Sequence, residues 1–281
     1  MSALAGRPFA KMNGLGNEIV VVDLRGTKIS VTPQEARAIH AAKGLAYDQL
    51  MVIEDRHASD TEAFVRILNN DGTESGACGN GTRCVAYIMT RAGTPHRFYV
   101  ETRAGRLECV RQDDLIYTVD MGEPRLDWRD IPLSAPQEDT RAIDLSFEDL
   151  PKPAVANMGN PHAVFFVGDM DAIDLKHVGP PLETHEMFPQ KANISIAQVM
   201  SADHIRLKVW ERGVGITQAC GSAACATAVS AARRNLTNRK VRVTLPGGDL
   251  FIDWRDSDNH VMMTGPVELE FEGRFEAAIF A

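Results

Sequence analysis

The sequence has few cysteines, no basic cluster and no long apolar run, and each absence removes a class of protein. Its 281 residues carry 30 Lys and Arg against 38 Asp and Glu, a formal charge of −8. Without basic clusters it has no electrostatic footprint for nucleic acid or an anionic membrane surface. Its apolar stretches fall far short of the roughly 20 residues that span a bilayer. Met1 to Arg7 offers no apolar h-region, so no signal peptide is expected. The five cysteines are an odd number in a chain this long, which argues against a secreted disulfide framework. The expectation is a cytoplasmic protein with free thiols and neither a nucleic-acid nor a membrane partner.

Cofactor signals are missing too. Cys78 and Cys84, like Cys220 and Cys225, are spaced too widely for a usual zinc pair, and no His pair accompanies them. Gly79-Asn80-Gly81 and Gly14-Leu15-Gly16 both lack the third glycine of a dinucleotide loop, and no Walker A sequence occurs. Neither a metal nor a cofactor is therefore expected.

Hydrophobic residues make up 44% of the chain, enough for one large core or two ordinary ones. Residues 1–121 read as short strands with two helices. Thr32-Pro33-Gln34-Glu35 supplies an N-cap, an N1 proline and a capping-box glutamate. A second helical pattern runs from Asn80 to about Arg91, followed by a β-meander. Residues 122–153 carry five prolines in a charged, aperiodic stretch, predicting a connection between domains. From residue 154 to 267 the order of elements begins again, with a short helix predicted over Leu182–Met187 and a small-residue helix from Gly221 to Asn235.

The echo is sharpest at two blocks. Ala77-Cys78-Gly79-Asn80-Gly81-Thr82-Arg83-Cys84 and Ala219-Cys220-Gly221-Ser222-Ala223-Ala224-Cys225 each place Ala-Cys-Gly at a predicted helix start. Two copies of one unit imply a pseudo-two-fold arrangement with a cleft between the copies. A helix N-terminus offers unpaired N–H groups and a positive dipole end. It can cradle a carboxylate, and it favours the thiolate of a cysteine placed there. One thiolate could take an α-proton while a thiol opposite delivers another, inverting the centre. A cysteine is more often simply buried. That reading suits Cys84, Cys109 and Cys225 but not the glycine-flanked Cys78 and Cys220.

At these blocks the chain resembles the diaminopimelate epimerase family. The resemblance extends through Asn69-Asn70-Asp71-Gly72, Glu211-Arg212-Gly213, Gly14-Leu15-Gly16-Asn17, Tyr47-Asp48-Gln49-Leu50, Met158-Gly159-Asn160-Pro161-His162 and Leu245-Pro246-Gly247-Gly248. It implies interconversion of LL- and meso-diaminopimelate for lysine and peptidoglycan synthesis, without pyridoxal phosphate or metal. It also implies an α/β (α+β) fold of two similar domains, each a curled, mostly antiparallel sheet or barrel around a central helix, with the active site in the cleft. By the same resemblance the C-terminal strand, within 268–281, joins the first domain, and the chain forms a homodimer.

By the resemblance, Cys78 and Cys220 match the acid–base pair, and Gly79, Asn80, Gly221 and Ser222 the cradle of the reacting carboxylate. Asn17, Gln49, Asn69, Asn160, Asn193, Glu211 and Arg212 match residues that hold the substrate, chiefly its distal amino-acid end. A distal zwitterion needs an arginine for its carboxylate and oxygens for its ammonium, which this set supplies. His162 and Glu211 match groups that tune the thiols. Asn13, Ile216 and Ala223 depart from the commonest family pattern, which has histidine, an acidic residue and glycine at those positions. A proline or hydroxyproline racemase shares the two-cysteine plan, but its substrate would leave the Asn/Arg set without a purpose. A thiol redox sensor would use the same cysteines, yet neither lies in Cys-x-x-Cys spacing.

Overall fold

The computed structural model describes residues 2–281. Two compact units emerge, one of residues 1–119 and 265–281, the other of residues 120–264.

The first unit runs β1 (Pro8–Asn13), β2 (Glu18–Asp23), α1 (Pro33–Ala41), β3 (Gln49–Glu54), β4 (Ala63–Asn69), β5 (Glu74–Ser75), α2 (Gly79–Arg91), β6 (Arg97–Thr102), β7 (Gly105–Asp113) and β8 (Ile116–Asp120). The second runs β9 (Ala154–Asn157), β10 (Pro161–Phe166), α3 (Leu175–Glu183), β11 (Asn193–Ser201), β12 (His204–Glu211), β13 (Gly215–Ile216), α4 (Gly221–Arg233), β14 (Lys240–Leu245), β15 (Gly248–Trp254) and β16 (Val261–Pro266). A last strand, β17 (Glu268–Arg274), pairs antiparallel with β1.

The pairing repeats element for element. β1 pairs antiparallel with β2, β2 parallel with β3, β3 antiparallel with β4, and β4 parallel with β6. In the second unit β9 pairs antiparallel with β10, β10 parallel with β11, β11 antiparallel with β12, and β12 parallel with β14. Each parallel pair needs a crossover, and the chain supplies a helix each time: α1 and α2 in one unit, α3 and α4 in the other. Strands β9, β10, β11, β12, β14 and β15 all pack on α4. The sheet thus curls around a helix whose Ala, Gly and Ser face lets backbones approach closely.

Local chemistry explains the helix starts. The α1 capping box forms as expected, with the Thr32 hydroxyl accepting from the Glu35 amide and Pro33 in the first turn. The helix expected over Leu182–Met187 lies earlier, at Leu175–Glu183. Asp174 caps it by accepting the Lys176 amide at 3.0 Å, and Pro180 and Pro181 lie inside it. Those prolines read as a break in sequence. They are tolerated because burial of Leu175, Val178 and Leu182 holds this short helix in place.

Residues 122–153 are not a connection between units. Ile131, Leu133, Ile143 and Leu145 are buried in one cluster with Val155, Phe165, Leu182 and Ile194. The segment belongs to the second unit, wrapping its core without regular periodicity.

Candidate active site

The duplicated topology sends the singled-out residues to corresponding places. Asn17 lies in the β1–β2 turn and Asn160 in the β9–β10 turn. Gln49 opens β3 and Asn193 opens β11. Asn69 closes β4 and Glu211 closes β12, with Arg212 next. Cys78 caps α2 and Cys220 caps α4.

In the first unit these residues converge on Cys78, which is half-buried. The Gly81 amide donates to its sulfur at 3.3 Å, a true N-cap bond. The thiol reaches Gln49 Oε1 at 3.5 Å and Asn17 Oδ1 at 3.8 Å. Asn17 is held in turn by its Nδ2, which donates to Asp48 Oδ2 at 2.8 Å. Asp48 also accepts the Glu18 amide at 2.9 Å, fixing the whole turn. Asn69 pairs with Gln49 across β3 and β4, and its Nδ2 donates to the Thr73 hydroxyl at 3.0 Å. Gly79 and Asn80 open the helix, where amides lack intrahelical acceptors and can receive a carboxylate. Asn80 is buried, and its Oδ1 has no hydrogen-bond partner among the described residues. Gly14 crosses it so closely that a Cβ there would lie 3.2 Å from Asn80 Cβ.

Cys220 sits differently. It is buried, and the Ala223 amide of α4 acts on its sulfur without the close cap bond that Gly81 gives Cys78. The Ser222 hydroxyl lies 3.5 Å away. Burial raises the thiol pKa well above its ordinary value, and the nearby Glu211 carboxylate raises it further. Ser222 and the Ala223 amide offset only part of that. Desolvation and a like charge thus oppose, at Cys220, the helix-start effect that favours a thiolate. Glu211 is itself anchored by the Thr217 hydroxyl at 2.5 Å.

His162 is fully buried, and its pKa falls to about 3 because of burial and the Arg212 charge. It is neutral, so its bond to Asn160 Oδ1 at 2.7 Å is donated from Nε2. That leaves Nδ1 a bare acceptor, without a partner among the described residues. Asn193 Nδ2 donates to the Pro161 carbonyl at 3.1 Å, and its Oδ1 accepts the Arg212 amide at 2.9 Å. Asn193 thereby braces the segment that carries Arg212. The Arg212 side chain is exposed, with Nη1 on the Gln190 carbonyl at 2.8 Å.

Asp48 and Thr217 serve this network without having been singled out. Only Asp48 carried a sequence signal, as the neighbour of Gln49 in Tyr47-Asp48-Gln49. The three departures also find places. Asn13 folds its turn by accepting the Gly16 amide at 2.6 Å. Ile216 is exposed and pairs with Trp210 across β12 and β13. Ala223 is buried in the first turn of α4.

A duplicated α+β unit in which each central helix opens on a cysteine is built on the fold of solved structures that include a probable proline racemase and a hydroxyproline epimerase. The chain belongs to the diaminopimelate epimerase family, whose model matches residues 9–126 and 154–270. It is 57% identical over 287 residues to a diaminopimelate epimerase of Rhodopseudomonas palustris strain TIE-1, covering 100% of this chain and 97% of that protein. It is 56% identical over 286 residues to the enzyme of Methylocella silvestris, covering 100% and 99%. Among solved structures, a probable proline racemase from Agrobacterium radiobacter K84 shares the fold. The TM-score is 0.68 at 11% identity, over 96% of this chain and 93% of that one.

Proposed function

We propose that this enzyme interconverts LL- and meso-diaminopimelate with Cys78 and Cys220 as the acid–base pair, acting on opposite faces of one α-carbon. The observation that carries this is the pair of cysteines at equivalent helix starts of a repeated unit, in a chain of the diaminopimelate epimerase family. The Gly79–Asn80 and Gly221–Ser222 amides hold the reacting α-carboxylate and stabilise the charge that builds as the α-proton leaves. One cysteine takes the α-proton as a thiolate while the other, as a thiol, gives its proton to the opposite face, and the reverse direction exchanges the roles. Glu211, beside Cys220, tunes that thiol, whose proton leaves to the α-carbon and not to the carboxylate. His162, neutral and bonded to Asn160, orients that side chain toward the substrate and offers its bare Nδ1 as an acceptor. Arg212 takes the distal carboxylate, while the side-chain oxygens of Asn17, Gln49, Asn69, Asn160 and Asn193, with Glu211, position the amino groups.

This reading places the enzyme in the cytoplasm, as a homodimer, in lysine and peptidoglycan precursor synthesis. No helix among the described residues is long and apolar enough to cross a membrane. The test is α-proton exchange with stereochemically pure LL-diaminopimelate and with proline, in the wild type, Cys78→Ala and Cys220→Ala. Exchange on diaminopimelate in the wild type, with epimerisation abolished by either substitution, is the expected result. Activity on proline alone would refute the substrate, and full activity in either variant would refute the cysteine pair.

A further inference from the structure

The second unit holds a buried carboxylate that has no part in the chemistry above. Glu183, the last residue of α3, is 6% exposed. Its Oε2 accepts the Trp210 indole N–H at 2.7 Å, and its Oε1 accepts the Gly213 amide at 3.1 Å. Lys191 Nζ lies 3.3 Å from the same Oε1. Its backbone carbonyl accepts the Ala192 amide at 3.1 Å. These partners are the immediate neighbours of Asn193, Glu211 and Arg212. The Trp210 ring lies against Gly179 on the same helix, where a Cβ would fall 2.7 Å from the ring atoms. Helix α3 therefore grips the end of β12 twice, once through the ring and once through the carboxylate. Burial alone would raise the Glu183 pKa, but Trp210, Lys191 and Gly213 outweigh it and hold the group below its ordinary value. The carboxylate is charged at neutral pH and keeps all three donors.

We propose that Glu183 is a positioning residue for the epimerisation, fixing the Trp210–Gly213 segment so that Arg212 is presented to the distal carboxylate of the substrate. This rests on the reading of Arg212 as a substrate ligand. A buried carboxylate held only for stability would be costly to desolvate, and Lys191, whose side chain is 53% exposed, offsets little of that cost. The position of the three donors around one binding arginine gives this one a different purpose.

Steady-state kinetics with diaminopimelate test it on Glu183→Gln, Trp210→Phe, Arg212→Ala and the Glu183→Gln/Arg212→Ala double variant, with thermal unfolding measured alongside. Glu183→Gln is expected to raise KM about tenfold with kcat within about threefold, because Arg212 grips the distal end equally in ground and transition states. Trp210→Phe keeps the ring on Gly179 but loses the N–H donor, and should raise KM by about threefold even if Glu183→Gln folds poorly. In the Arg212→Ala background, Glu183→Gln should add no further rise. An unchanged KM in Arg212→Ala overturns the ligand reading and this inference with it. A raised KM there, with KM unchanged in both Glu183→Gln and Trp210→Phe, overturns this inference alone. So does a Glu183→Gln effect that persists in the double variant, or one confined to the melting temperature.

Discussion

The starts of α2 and α4 are built from the same short motif, yet they hold their cysteines in opposite environments. Cys78 is half-buried and receives the Gly81 amide. Cys220 is buried, lacks so close a cap bond and lies near a carboxylate. Part of the difference lies at one matched position, the last residue of β4 and of β12: a neutral Asn69 in the first unit, an acidic Glu211 in the second. The two units repeat one topology, and a few side chains give their cysteines different surroundings. A second contrast follows at the third residue of each helix, Gly81 against Ala223. Met51 lies over Gly81, so that a Cβ would fall 2.5 Å from its sulfur. The third residue of β11, matching Met51 in β3, is the much smaller Ser195. The departure from glycine at Ala223 is thus matched by a smaller neighbour position.

The sharpest way to break the comparison is to remove either thiol. Cys78→Ala and Cys220→Ala should each lower kcat by ~10²–10⁴ or more, equally in kind despite their different surroundings. Retained turnover in one would show that the two helix starts are not partners. Next in size, Gly81→Ala should cost about 1–3 kcal/mol in urea unfolding, because the new methyl overpacks against a buried Met51. No loss would mean that the methionine simply swings aside.

Glu211→Gln probes the electrostatic half of the contrast. A carboxylate beside Cys220 disfavours its thiolate, so neutralising it must lower the thiol pKa. In a Cys78→Ala background the thiolate absorbance should therefore appear at lower pH than in the parent. An inflection that stays put or rises would remove Glu211 from the account of Cys220. The smallest effect is expected for Ala223→Gly, about 0.5–1 kcal/mol of stability lost to helix propensity. A larger loss would show that the Ala223 methyl packs more tightly than its surroundings suggest.

Much of this was legible in the sequence. The Ala-Cys-Gly repeat located both helix starts because a cap, a glycine and a following small-residue run are local signals. The pairing of Gln49 with Asn193, and of Asn69 with Glu211, came into view only once the strands had ends. The burial of Cys220 was invisible, since neighbouring residues in sequence did not say which helix start would be covered. Residues 122–153 misled because their apolar positions, Ile131, Leu133, Ile143 and Leu145, are spaced by prolines and charges and not by a helical or strand period. They bury all the same. Helix α3 misled for a related reason: Pro180 and Pro181 look like its beginning but lie near its end. Glu183 was silent because its three donors come from positions 191, 210 and 213.

Solvent-isotope incorporation during the earliest turnovers tests the two-thiol mechanism most directly. LL-diaminopimelate is mixed with the wild-type enzyme in D2O, and substrate and product are separated before equilibrium. The meso product should carry deuterium at its inverted centre while recovered LL substrate keeps its α-proton, because one thiol removes and the other delivers. Equal labelling of substrate and product from the first turnover would contradict a mechanism shared between Cys78 and Cys220.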